Sequence, residues 1–208
     1  MPPVPWSSLA FLVVAFTLAA NDIKFLSTFK SPNAATTSFV GKKVATLVIT
    51  NEDALQVSGE EALARELEAR GIGAVATYRI VPKPELASAE RAKPWFERAG
   101  VQGVVVVRPI SKEKVREYTP ATWTESYYSS FWNYYGYGYG VYYSPGVDRV
   151  DTVVVLETLV FDMASNELVW ASVTETKNPK ELQPFISDLA RSTIKEMQKQ
   201  GLAKAQKK

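Results

Sequence analysis

Gly103-Val104-Val105-Val106-Val107-Arg108-Pro109 is apolar on both alternations, as befits a strand inside a sheet with both faces covered. Upstream, Ser88 to Ala99 predicts a helix carrying Trp95 and Phe96 and closed by Gly100, with Pro94 forcing a late start or a kink. Ala74 to Val81 predicts a strand. Before it, Ser58 with Glu61 forms a capping box ahead of the stripe Ala62, Leu63 and Leu67, and Gly71 ends that helix. Lys43 to Thr50 (KVATLVIT) is a further strand apolar on both faces. Strand, helix, strand, helix, strand requires right-handed crossovers, hence a parallel core of three strands.

Downstream the pattern changes. Arg149 to Phe161 and Glu167 to Thr176 are strands separated by Asp162-Met163-Ala164-Ser165-Asn166, which is turn chemistry. They predict a long antiparallel hairpin pairing Asp162 with Glu167. In that register Val154, Leu156, Val160, Val169, Ala171 and Val173 share one face. Leu159, Phe161, Leu168 and Trp170, with Glu157 and Ser172, share the other. Asn178-Pro179-Lys180-Glu181 starts a last helix bearing Leu182, Phe185, Ile186, Leu189, Ala190 and Met197, regular from Pro184 onward and ended by Gly201.

The fold expected is α/β, a mixed five-stranded sheet ordered β-α-β-α-β, then the hairpin and a C-terminal helix. The domain runs over 42–202, within the size of a single core. Residues 21–41, rich in Ser, Thr, Asn and Ala, read as a tether with a possible short edge strand at Ile23 to Thr28, and 203–208 as a basic tail. Three helices cover one face of such a sheet but hardly two. Leu159, Phe161 and Trp170 therefore need a cover or form an interface.

Residues 1–20 contain no charged side chain, and Leu9 to Ala20 (LAFLVVAFTLAA) is too short for a bilayer span but fits the apolar core of a secretory signal. Ala19-Ala20 before Asn21 fits a cleavage site. Leu18-Ala19-Ala20 resembles a lipobox, yet Asn21 has no thiol to acylate, so no lipid anchor is expected there. The reading is an exported, periplasmic protein without a transmembrane span.

The composition excludes much. There is no Cys and no His, so disulfides, thiolate nucleophiles, imidazole bases and the usual zinc sets are absent. With 24 basic and 22 acidic residues, the net charge of +2 gives no field for nucleic acid. No Gly-x-Ser-x-Gly elbow or Walker loop occurs. Asp148, Asp151 and Glu157 are the only carboxylates worth weighing for Ca²⁺ or glycoside cleavage. Glu157, an acid among Val155, Leu156, Leu159 and Val160, reads first as a charge that guards an edge strand. No enzyme, cofactor or metal is expected.

Tyr118 to Tyr143 holds 12 of the chain's 24 aromatic residues and a single charge, Glu125. Its core comprises Tyr127, Tyr128, Phe131, Trp132, Tyr134, Tyr135, Tyr137, Tyr139, Tyr142 and Tyr143, interleaved with Gly and Ser. Rings for contact area with small residues for fit are the composition of adaptable interfaces. The favoured role is an insertion at 118–143 that binds an envelope protein or a second copy. A lid over the chain's own sheet, stacking on peptidoglycan or polysaccharide, and contact with the membrane interface are the alternatives. As an interaction surface, the insertion predicts that removing Tyr127 to Tyr139 leaves the fold intact.

Phe29-Lys30-Ser31-Pro32, Lys42-Lys43-Val44, Trp95-Phe96-Glu97-Arg98-Ala99-Gly100, Val155-Leu156-Glu157-Thr158-Leu159-Val160, Leu168-Val169-Trp170-Ala171 and Thr174-Glu175-Thr176-Lys177-Asn178-Pro179 resemble a group of uncharacterised bacterial cell-envelope proteins, often lipoproteins. The resemblance covers most of 25–202. It implies an envelope location and this fold rather than an activity, and it departs at Asn21, where those proteins carry the lipidated Cys.

Overall fold

The computed structural model describes residues 21–36, 38–111, 130–140, 153–179 and 181–201, with backbone alone at 35, 36, 111 and 137–140. The leader at 1–20, the tail at 203–208, and Tyr127, Tyr128, Tyr142, Tyr143, Asp148 and Asp151 lie outside the described residues, as do the side chains of Tyr137 and Tyr139.

The strands are β1 (Ile23–Lys30), β2 (Lys43–Val48), β3 (Gly73–Ala76), β4 (Gly103–Ser111), β5 (Val153–Asp162) and β6 (Glu167–Lys177). The helices are α1 (Asp53–Glu68), the single turn α2 (Thr77–Ile80), α3 (Ala89–Arg98), α4 (Phe131–Gly140) and α5 (Leu182–Lys199). One sheet of order β1-β6-β5-β4-β2-β3 contains all six strands. The α/β class and the parallel trio β4-β2-β3 match the sequence reading. The strand count does not. The possible edge strand at Ile23 to Thr28 is a sixth strand, β1, antiparallel to β6 from Ile23↔Thr176 to Lys30↔Trp170. Its side chains are half-buried or exposed, with the alternation broken at Phe25 to Ser27 where the register shifts, as suits an outer strand.

Three local expectations are also corrected. Helix α1 starts at Asp53, and the Ser58 hydroxyl bonds back to the Ala54 carbonyl instead of capping. Gly59 beside it lets the helix approach the sheet, because a Cβ there would stand 2.9 Å from Val48 Cγ2. The strand expected to reach Val81 stops at Ala76, where the Tyr78 amide turns to donate to Glu60 Oε2 at 2.8 Å. Helix α3 begins at once on its Ser88 cap and passes through Pro94. By contrast, Pro184 sits in the first turn of α5, where its missing N–H has no intrahelical partner to lose.

The hairpin pairs Asp162 with Glu167, as its turn requires. Val160 faces Trp170 while Phe161 faces Leu168, so Val169 is an extra residue, a bulge. That bulge overturns the face assignment for β6. Trp170 and Ser172 lie with Val160 and Thr158, whereas Ala171 and Val173 lie with Leu159 and Glu157.

Helices cover both faces. On one, α1 and α5 bury Leu63, Leu67, Leu189, Ile194 and Met197 against Val105, Val107, Val160 and Trp170. On the other, α3 and α4 bury Phe96, Phe131, Tyr134 and Tyr135 against Leu47, Val104, Val106, Leu159 and Phe161. Among the described residues no helix is long and apolar enough to cross a membrane.

Candidate functional site

Arg108 on β4 and Glu157 on β5 are direct cross-strand partners on the α3–α4 face of the sheet. Arg108 donates from Nη2 to Glu157 Oε2 at 2.9 Å and from Nε to the same oxygen at 3.2 Å. Tyr134 of α4 completes the set. Its hydroxyl donates to Glu157 Oε2 at 2.7 Å and accepts from Arg108 Nε at 3.0 Å. Glu157 and Tyr134 are wholly buried and Arg108 is 5% exposed. Glu157 is therefore no edge-strand guard, since β5 is internal and the carboxylate is covered by the insertion's own helix. A lone carboxylate at this depth is untenable; the guanidinium and the phenol compensate its burial.

Helix α4 is built from poor helix formers. Ten Tyr- and Gly-rich residues would not hold a helix in water, so packing supplies its stability. Ser130 caps it, accepting from the Asn133 amide at 3.2 Å through Oγ and from the Tyr134 amide at 3.1 Å through its carbonyl. Phe131, Tyr134 and Tyr135 fall at i, i+3 and i+4 and face inward. Phe131 meets Phe96 and Phe161, each with ring centroids 5.5 Å apart, and the Tyr135 hydroxyl donates to the Leu86 carbonyl at 3.3 Å. This inward spacing is a helical signal that composition obscures.

These positions correct the sequence reading. Phe131, Tyr134 and Tyr135 are core, not contact surface, and the apolar sheet residues Leu159 and Phe161 lie beneath them rather than open to a partner. Trp170 is buried on the opposite face, donating from Nε1 to Gln200 Oε1 at 3.0 Å. Trp132 differs from its neighbours. It is only half-buried, stacked edge-on to Phe96 at 5.8 Å and Phe131 at 4.7 Å, with Lys93 Nζ 6.0 Å from its ring. Trp95 on α3 is also half-buried and carries the Arg98 guanidinium 4.7 Å from its ring.

Glu60 is a second fully buried acid, on the other side of the molecule. It accepts from the Val48 amide at 3.2 Å, from Gln56 Nε2 at 3.1 Å and from the Tyr78 amide at 2.8 Å. Burial pushes its pKa up to about 7, against the lowering by those three donors, with neighbouring Glu61 adding to the rise. It ties α1 to the ends of β2 and β3. Among the described residues no three Asp or Glu converge as a cation site.

No protein-family model and no curated protein matches the chain. Among solved structures it is similar to a PelC dodecamer from Paraburkholderia phytofirmans, with 15% identity, 90% of this chain and 99% of that chain covered, and a TM-score of 0.46. A PelC point variant from the same organism gives 17% identity, 85% and 98% coverage, and a TM-score of 0.45. Lipoprotein GNA1162 from Neisseria meningitidis gives 10% identity, 76% and 99% coverage, and a TM-score of 0.35.

Proposed function

We propose that this is an exported, non-catalytic protein of the cell envelope that acts as an interaction module, with its contact surface on the α3–α4 face around Trp132. Export rests on the uncharged leader with its twelve-residue apolar run before Asn21. The absence of His and Cys supports a binding role over a catalytic one.

One observation carries the reading. The insertion helix is registered on the sheet by a buried ion pair and a phenol, and it leaves Trp132 half-exposed on the outside. Apolar rings alone would suffice for a lid. A desolvated charge pair adds little net stability but fixes one docking geometry, which matters when the helix must present a side chain in a defined place. Tryptophan held rigidly on a helix, beside Lys93, has the chemistry of an interface anchor.

Trp132→Ala tests this. The variant should unfold cooperatively, losing about 1–2 kcal/mol of stability, while self-association in sedimentation velocity or co-purification of an envelope partner disappears. Stacking on a glycan is the second reading, favoured by the pairing of half-buried Trp132 and Trp95 with Lys93 and Arg98. It predicts that the variant keeps its protein contacts and loses retention on peptidoglycan or polysaccharide. A variant indistinguishable from the parent in all three assays refutes the proposed surface.

A further inference from the structure

On the opposite face of the sheet, α1 and α5 run side by side but do not close over β4 and β5. They leave a cavity of about 260 Å³ floored by Val105, Val107, Thr158 and Val160. It follows α5 from Leu189 to Gly201, which at 1.5 Å per residue is roughly 18 Å, so it is long and narrow. The walls are methyl groups, Leu67 on α1 and Ile194 on α5 among them. The rim is different. Arg70 is the charged residue there, its Nη1 bonded to Glu66 Oε2 at 2.8 Å, and Val40, also in the lining, stands 64% exposed.

Ser38 and Gln198 also line it, and two buried hydroxyls break the apolar floor and wall. Among the described residues, Thr158 Oγ1 and Thr193 Oγ1 have no hydrogen-bond partner, and their residues are 1% and 5% exposed. A buried hydroxyl ordinarily finds a partner. Thr158 lies in the Val107 row of the floor and Thr193 lies on the facing helix, so both flank the same narrow space.

We infer that this cavity binds a single acyl chain that carries a hydroxyl, with its acidic head group toward Arg70. The methyl-lined channel fits a chain one methylene wide, the two threonine hydroxyls supply the partners for an oxygen on that chain, and the rim cation meets the carboxylate. A plain alkyl chain would fill the space but leave both hydroxyls unpaired. The inference is independent of the Trp132 surface, which lies across the sheet.

The test is displacement of the fluorescent polyene cis-parinaric acid from the full chain by lauric acid and by hydroxylated lauric acids, with the hydroxyl near the head or at the tail end. One hydroxylated acid should compete about tenfold better than lauric acid. Thr158→Val with Thr193→Val should keep the melting temperature and erase that preference while sparing lauric acid. Leu67→Trp, which fills the channel, should abolish probe binding altogether. No saturable probe binding, or equal competition by lauric and hydroxylated acids, overturns the inference. So does binding that survives Leu67→Trp in a cooperatively folded variant.

Discussion

Tyr134 and Glu157 are joined by a 2.7 Å hydrogen bond across the boundary between the aromatic insertion and the sheet, both wholly out of solvent. The bond makes the insertion helix part of the fold. Glu157 is held from the other side by Arg108 on the neighbouring strand, so three elements meet at one carboxylate oxygen.

Removing one member of this set should be costly. Arg108→Met leaves Glu157 buried without its guanidinium partner and should lose about 3–5 kcal/mol in urea unfolding. Arg108→Met combined with Glu157→Leu removes both charges and should recover most of that loss. A double variant as unstable as the single one would show that the pair contributes more than charge compensation.

Deleting Tyr127 to Tyr139 takes away Phe131, Tyr134 and Tyr135 and exposes Phe96, Leu159 and Phe161. At roughly 1.5–3 kcal/mol for each large side chain uncovered, the truncated protein should aggregate or melt non-cooperatively. This reverses the expectation drawn from composition. Calorimetry of the truncated chain distinguishes the two outcomes.

What the sequence concealed here was geometry, not chemistry. The valine runs at Val104–Val107 and Val153–Val155 announced internal strands, and Gly71, Gly100 and Gly201 marked helix ends that the structure gives left-handed φ values of 75°, 66° and 78°. The bulge at Val169 has no sequence signature, and one extra residue was enough to move Trp170 to the opposite face. Strand β1 was legible only as a possible short edge strand at Ile23 to Thr28, because an outer strand with half-exposed side chains lacks a strong period. Glu157 looked like an edge charge because its partners, Arg108 and Tyr134, are distant in the chain; one pairs with it through register and the other through a helix made of tyrosine and glycine.

Glu60 makes stability depend on pH in an unusual direction. Its folded pKa of about 7 lies above the ordinary carboxyl value of 4.5, so between those limits the folded state binds more protons than the unfolded one. Stability from this group is therefore full below about pH 4.5, falls as pH rises towards 7, and is flat beyond. The total is on the order of 3 kcal/mol. Urea unfolding between about pH 5 and 8 should show this decline, and Glu60→Gln should remove its slope while losing the bond from the Tyr78 amide, at a cost of about 1–3 kcal/mol.

Gly103 is tightly enclosed. A Cβ there would lie 2.5 Å from Phe39 Cε1 and 2.8 Å from its Cδ1. Gly103→Ala must push the Phe39 ring aside and should cost about 1–3 kcal/mol in urea unfolding. A stability equal to the parent's would mean the ring moves freely.

The interaction role is tested most directly by placing a photo-cross-linking amino acid at position 132 of the protein in intact cells, with position 195 on exposed α5 as the control. The α3–α4 surface predicts a discrete protein adduct, to a second copy or an envelope partner, from position 132 and none from position 195. Absence of any adduct at position 132, or the same products from both positions, would contradict it.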